Sequence, residues 1–207
     1  YKGDFGMQKK TYAVLGLGRY GTAVAKELVK NGADVIAVDK NEQIVQDSSV
    51  YLPICKCADI TDPEVISELG ISNADVVIVA MASSLEGSIL AITLCKEAGV
   101  KTVIAKCANE THRKILKRVG ADTVVFPENE SGTRLAKNLL TSGFTDILTL
   151  SDDLSLVELA ARDEWVGKSL KELNLRKKYT VNVVAFRKNG KITAPVNPEE
   201  LLDKDTE

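Results

Sequence analysis

Tyr12-Ala-Val-Leu-Gly-Leu-Gly-Arg-Tyr-Gly21 is the stretch that decides the fold: an apolar run, then three glycines spaced Gly16-x-Gly18-x-x-Gly21. The run from Tyr12 to Leu17 reads as a strand, and a helix follows from about Tyr20 to Asn31, with Gly32 as its stop. A glycine pattern of this kind means little alone, but between a strand and a helix it has a mechanism. Gly16 permits the tight turn, Gly18 lets the backbone approach a phosphate without a Cβ in the way, and Gly21 lets helix and sheet pack closely. Free N–H groups and the positive end of the helix dipole then hold an anion. Asp39 ends the next apolar run, Val35–Val38, where a carboxylate accepts hydrogen bonds from ribose hydroxyls and repels a 2′-phosphate. The combination predicts binding of an adenosine nucleotide without that phosphate.

Outward from the loop, short apolar runs alternate with helical stretches. Further strands are expected at 52–57, 75–80, 102–106 and 123–126, with helices at 42–47, 63–69, 83–98, 109–119 and 128–140. Asp62-Pro63 supplies an N-cap followed by proline in the first turn, and Gly70 ends that helix. Near-continuous Val/Ile/Ala strands suit a parallel sheet buried on both faces. Strand–helix alternation with short connections predicts right-handed crossovers and a doubly wound α/β, Rossmann-like fold. After Ser142-Gly143 the pattern changes to Ile147–Leu150, Ser155–Ala160, a helix near Ser169–Leu173, an apolar run Thr180–Phe186, and a Lys188-Asn-Gly190 hairpin signal leading into Ile192. Two domains are expected, residues 7–143 and a smaller α+β domain at 144–207. Residues 1–6 precede Met7 and read as a tag remnant.

With 27 basic and 29 acidic residues the chain has a net charge of −2, which provides no field drawing it to nucleic acid or an anionic membrane. No run approaches the ~18 apolar residues of a membrane span, and no signal peptide opens the chain, so a cytoplasmic protein is expected. The four cysteines, Cys55, Cys57, Cys95 and Cys107, lack the spacing of a structural zinc site, and the chain has one histidine. They read as reduced, buried thiols, with Cys55 and Cys57 on one face of a strand. His112, at the start of a helix, reads as a surface or capping residue.

Gly-Leu-Gly-Arg-Tyr-Gly, Val38-Asp-Lys-Asn41, Ala58-Asp-Ile-Thr61, and Gly120-Ala-Asp followed by Phe126-Pro-Glu128 resemble the RCK domains. These are the regulatory subunits of Ktr/Trk-type bacterial potassium transporters, the KtrA/TrkA family. The resemblance runs from about Thr11 to Pro198 and implies an RCK_N (TrkA-N) domain followed by RCK_C (TrkA-C). It implies ATP, ADP or NAD(H) as ligand, with Gly16, Gly18, Arg19, Tyr20 and Gly21 around the phosphates and Arg19 as the charged group. Asp39 and Asn41 would hold the ribose, Asp59 and Ile60 would lie beside the adenine, and Ala80, Met81 and Ala82 would line the end of a strand. Lys106 and Glu128 would reach the same crevice, Glu128 together with Mg²⁺ or another cation. In the second domain Arg176 and Asn182, with Pro195 nearby, would be the positions for cyclic di-AMP.

The resemblance further implies a homodimer within an octameric ring and a membrane transporter subunit of KtrB/TrkH type as partner, with no nucleic acid. The protein would be associated with the inner face of the membrane through that partner. The family usually continues into a final strand beyond residue 207, so the second domain is expected to be partial. The leading expectation is therefore a non-enzymatic, nucleotide-sensing regulator of potassium uptake. The alternative is a small NAD-dependent oxidoreductase, and a weaker one is an NAD-sensing transcriptional regulator.

Overall fold

The computed structural model describes residues 10–81, 84–140, 144–151 and 154–207. Its first unit alternates β1 (Thr11–Leu15), α1 (Arg19–Lys30), β2 (Asp34–Asp39), α2 (Glu42–Ser48), β3 (Ile54–Cys57), α3 (Pro63–Glu68), β4 (Val76–Val79), α4 (Leu85–Glu97), β5 (Thr102–Lys106), α5 (Glu110–Arg118) and β6 (Thr123–Val125). The six strands form one sheet in the order β3-β2-β1-β4-β5-β6, and every pairing is parallel. That is the doubly wound order whose chain reverses direction between its two central strands. The expected α/β class is the observed one.

Period-2 alternation places one set of strand residues on each face of the sheet. Ala13, Leu15, Val38, Val77, Val79, Val103 and Ala105 are buried in one layer with Ile66, Ala91, Ile92, Cys95 and Leu116 of α3, α4 and α5. Val14, Val35, Ala37, Ile78 and Ala80 face the other layer, with Ala25 of α1 and the partly buried Ile44 of α2. Helix ends follow the sequence signals. Asp62 caps α3 by accepting from the N–H of Glu64, with Pro63 in the first turn, and Gly32 and Gly70 take left-handed conformations just past helix ends.

The chain divides after Glu128 into a second compact unit. α6 (Pro127–Leu140) leads into an antiparallel pair, β7 (Phe144–Ser151) and β8 (Leu154–Leu159). Next come α7 (Leu170–Leu173), α8 (Leu175–Tyr179), β9 (Phe186–Lys188) and β10 (Lys191–Thr193). Ser169 and Glu172 form a capping box on α7, and Asn189-Gly190, both left-handed, turn β9 into β10 as the hairpin signal predicts. A small core of Leu173, Leu175, Phe186 and Leu202, with Trp165 packed against it, holds this unit together. Lys188 ion-pairs with Glu200 and Asp203, each at 3.1 Å, and Arg187 exchanges main-chain hydrogen bonds with Glu207.

The cysteine expectation needs one correction. All four thiols are free, and Cys95 and Cys107 are buried, the Cys95 thiol being pushed up to about 12 by that burial. Cys57, however, is exposed and Cys55 is half-buried. The reason is topological: β3 is the edge of the sheet, a position the apolar pattern of Leu52–Cys57 does not reveal.

Candidate functional site

β1 and β4 lie side by side, with Leu15 opposite Val79, and the helices that follow them pack on opposite faces of the sheet. A crevice outside the carboxyl ends of these two strands is where open α/β sheets take ligands. The glycine loop fills its floor. Gly16 has φ +97°, and a Cβ there would stand 2.7 Å from Met81 Cγ. At Gly21 a Cβ would lie 1.9 Å from the carbonyl oxygen of Gly16 and 3.1 Å from Ala80 Cβ, so the first turn of α1 rests directly on the loop. Gly18 differs: nothing lies within 4 Å of where its Cβ would be. The three glycines thus serve a strained turn, a close backbone crossing and an open approach, matching the roles read from their spacing. Gly18 is the N-cap of α1 and offers no side-chain acceptor to the first turn, which holds no acidic residue.

Asp39, at the end of β2, accepts the N–H of Leu17 on Oδ2 at 2.7 Å and that of Asn41 on Oδ1 at 2.9 Å. It therefore brackets the glycine loop against β2 while keeping lone pairs for a further donor. This structural duty is one that the motif alone does not disclose. Asn41 is exposed and caps α2, its Oδ1 accepting from the N–H groups of Gln43 and Ile44. Asp59 is exposed and held by Thr61, whose N–H (3.0 Å) and hydroxyl (2.7 Å) both donate to Oδ1. Those two bonds hold its carboxyl below the usual range. The Ile60 side chain is a core residue, so only its main chain can face a ligand.

Ala80 and Met81 also pack into the layers beneath the loop, as its floor rather than as exposed lining. Ala82 lies outside the described residues. Across the crevice, Lys106 at the end of β5 pairs with Glu128 at 2.6 Å, and its ammonium sits 5.7 Å from the centroid of the Tyr20 ring. The Lys106 side chain is 14% exposed and that of Glu128 is 61% exposed. The Glu128 carboxyl is lowered first by the Lys106 hydrogen bond, then by a backbone N–H, with a further contribution from the Arg19 charge. Arg19, Tyr20, Lys106 and Glu128 are therefore one electrostatic group at the strand ends.

This group makes a poor cation site by itself. Glu128 is a single carboxylate already matched by two cations, and among the described residues no cluster of three His, Cys, Asp or Glu side chains could hold a metal. A divalent ion would have to arrive with phosphate oxygens of its own. Since its folded pKa is lowered, Glu128 keeps its ion pair through the ordinary glutamate range and loses it only as pH falls through the lowered pKa beneath that range. Lys106→Ala is expected to raise the Glu128 pKa toward the ordinary value, as followed by NMR titration of its side-chain carboxyl.

His112 stands in the first turn of α5, with its main-chain N–H bonded to Asn109 Oδ1, in line with a capping segment. Arg176, on α8, and Asn182 are both exposed in the second unit, as is Pro195.

Residues 12–127 match the TrkA-N domain model and residues 154–206 the TrkA-C domain model. Ktr system potassium uptake protein C of Bacillus subtilis strain 168 is 37% identical over 95% of this chain and 90% of its own length. This chain belongs to the KtrA/TrkA family of potassium-uptake proteins. Ktr system potassium uptake protein A of the same organism is 35% identical over 95% of this chain and 88% of its own. The GsuK channel bound to NAD has the same fold, with a TM-score of 0.67 at 16% identity over 96% of this chain. This chain spans 36% of the length of that channel chain. The KtrA/TrkA relatives are named potassium uptake proteins, which favours a non-enzymatic regulator over the oxidoreductase alternative.

Proposed function

We propose that this KtrA/TrkA-family chain binds an adenine nucleotide over its glycine loop and converts the identity of that nucleotide into the state of a membrane potassium transporter. The observation that carries the reading is the bracket at the β1–β4 switch point. The stacked Gly16 and Gly21, the open Gly18 and the Asp39 carboxylate form a cradle with phosphate donors at one end and a ribose acceptor at the other. The NAD-bound channel of the same fold lends support for NAD(H). The Asp39 carboxylate repels a 2′-phosphate, which favours ligands with a free ribose 2′-hydroxyl.

Arg19 and Lys106 meet the phosphate end, Asp39 and Asn41 the ribose, and Asp59 with the Ile60 main chain the adenine. Ala80 and Met81 support the loop from below. ATP adds a terminal phosphate at Arg19 and Lys106 that ADP lacks, and a cation beside Glu128 would compensate the added charge. A ligand shifts a conformational equilibrium only through such differential contacts. The subunit acts as a homodimer within a larger ring, docked on a KtrB/TrkH-type membrane subunit. No helix among the described residues is long and apolar enough to cross a membrane. In the second unit, Arg176 and Asn182 would receive cyclic di-AMP between two copies.

The test is potassium flux in vesicles holding the membrane subunit, with this protein and ATP, ADP or NADH added on the cytoplasmic side. The reading requires flux that depends on the protein and differs between ATP and ADP. Equal flux with both, at saturating nucleotide, would refute nucleotide control.

A further inference from the structure

The proposed function uses none of the four thiols, and two of them, Cys55 and Cys57, stand beside its ribose acceptor. Both are on β3, the edge strand, and two residues apart they project from the same face. In the parallel register Cys55 lies opposite Ala37 and Cys57 opposite Asp39. At this end of β3, just past the ladder, the Ala58 N–H donates to the Asp39 carbonyl at 3.1 Å. The Cys57 thiol leans over the next residue, 3.6 Å from the Lys40 carbonyl oxygen. The charged groups beside the pair are Asp39 on β2 and Lys40 after it, while Lys56, between the two cysteines, projects from the opposite face.

We propose that Cys55 and Cys57 form a reversible peroxide-sensitive dithiol, and that its oxidation lowers nucleotide affinity by displacing Asp39. The inference rests on the proposed function for that last effect only. Burial and the Asp39 charge raise the Cys55 thiol, so the exposed Cys57 reacts first. Its thiolate attacks one oxygen of the peroxide; the O–O bond breaks, hydroxide leaves and becomes water with the proton the Cys57 thiol released, and Cys57 becomes a sulfenic acid. Cys55 then attacks the Cys57 sulfur, the S–O bond breaks, and the hydroxide leaves as water with the Cys55 proton. Two thiols and one hydrogen peroxide give one disulfide and two waters.

Residues two apart in a strand have Cα atoms about 6.6 Å apart, at the upper end of the disulfide range. Closing the bond therefore needs local contraction of β3. An edge strand can contract, since among the described residues no strand pairs with its outer side. The contraction pulls on the Cys57–Asp39 register and on the Ala58–Asp39 bond, and so on the carboxylate that holds Leu17 N–H and awaits the ribose.

The experiment treats the full chain with hydrogen peroxide and reads the result by intact mass, peptide mapping and nucleotide calorimetry. The expected product is about 2 Da lighter, with a Cys55–Cys57 cross-linked peptide reversed by dithiothreitol. NADH affinity is expected to fall about tenfold and to recover on reduction, while the double variant Cys55→Ser/Cys57→Ser keeps its affinity after peroxide. Addition of oxygen atoms without a cross-link would overturn the dithiol. A cross-link that leaves affinity unchanged would overturn the coupling. If the reduced protein binds no nucleotide, the proposed function fails, while the cross-link and the loss of amide protection at Ala58 still decide the dithiol.

Discussion

Gly21→Ala is expected to cost this protein most of its nucleotide affinity, about 100-fold or more, together with part of its stability. The added methyl group would stand 1.9 Å from the Gly16 carbonyl oxygen and 3.1 Å from Ala80 Cβ, neither of which is the free end of a flexible side chain. Either α1 lifts from the sheet or the loop moves, and both displace the N–H groups proposed to hold the phosphates. Overpacking of this kind costs about 1–3 kcal/mol in a well-packed core. Gly18→Ala is the control. Its methyl meets nothing within 4 Å in the protein, so the fold should survive with little change in melting temperature while affinity falls, because the methyl occupies the phosphate's approach. Calorimetric titration with NADH and thermal denaturation of both variants separate the two effects. Equal melting temperatures for the two variants would contradict the packing role assigned to Gly21.

Asp39→Ala is expected to have the second largest effect, for a reason that goes beyond the ribose. Leu17, whose N–H donates to Asp39 Oδ2, is only 3% exposed, so the alanine variant leaves that donor buried without an acceptor. An unsatisfied buried donor costs about 1–3 kcal/mol, and the Asn41 N–H loses its acceptor as well. Stability measured in urea should fall by about 2 kcal/mol, and nucleotide affinity should fall through both the lost ribose contact and the loosened loop. Asp39→Asn keeps one carbonyl oxygen and should restore part of the stability but little of the affinity. Full stability in the alanine variant would show that the bracket is not structural.

The first unit was legible because local signals and tertiary pattern agree there. Buried parallel strands carry unbroken Val/Ile/Ala runs, and the caps at Asp62 and Gly32 sit where the helices end. The glycine spacing disclosed three distinct backbone demands, each visible in the structure as a positive φ, a close contact or an open space. Sequence periodicity says nothing of strand order. That β3 is an edge, and hence that Cys57 is exposed beside Asp39, follows only from the pairing. The second carboxylate duty of Asp39 and the Lys106–Glu128 pair join residues far apart in the chain, and no local pattern encodes them. The second unit was less legible: in the Thr180–Phe186 run, ladder pairing begins only at Phe186, since Thr180 takes a left-handed conformation that ends α8 and Val181 and Val184 stay exposed.

The proposed adenine-nucleotide site is the crevice above the β1–β4 switch point. Backbone amide NMR during titration with NADH, and then with ATP, tests it most directly. Saturable shifts are expected at Gly16, Gly18, Arg19 and Gly21, at Asp39 and Asn41, at Asp59 and Ile60, and at Lys106, with Glu128 moving more for ATP than for NADH. Saturable shifts that leave the glycine loop and Asp39 untouched, or no shifts at millimolar nucleotide, would contradict it.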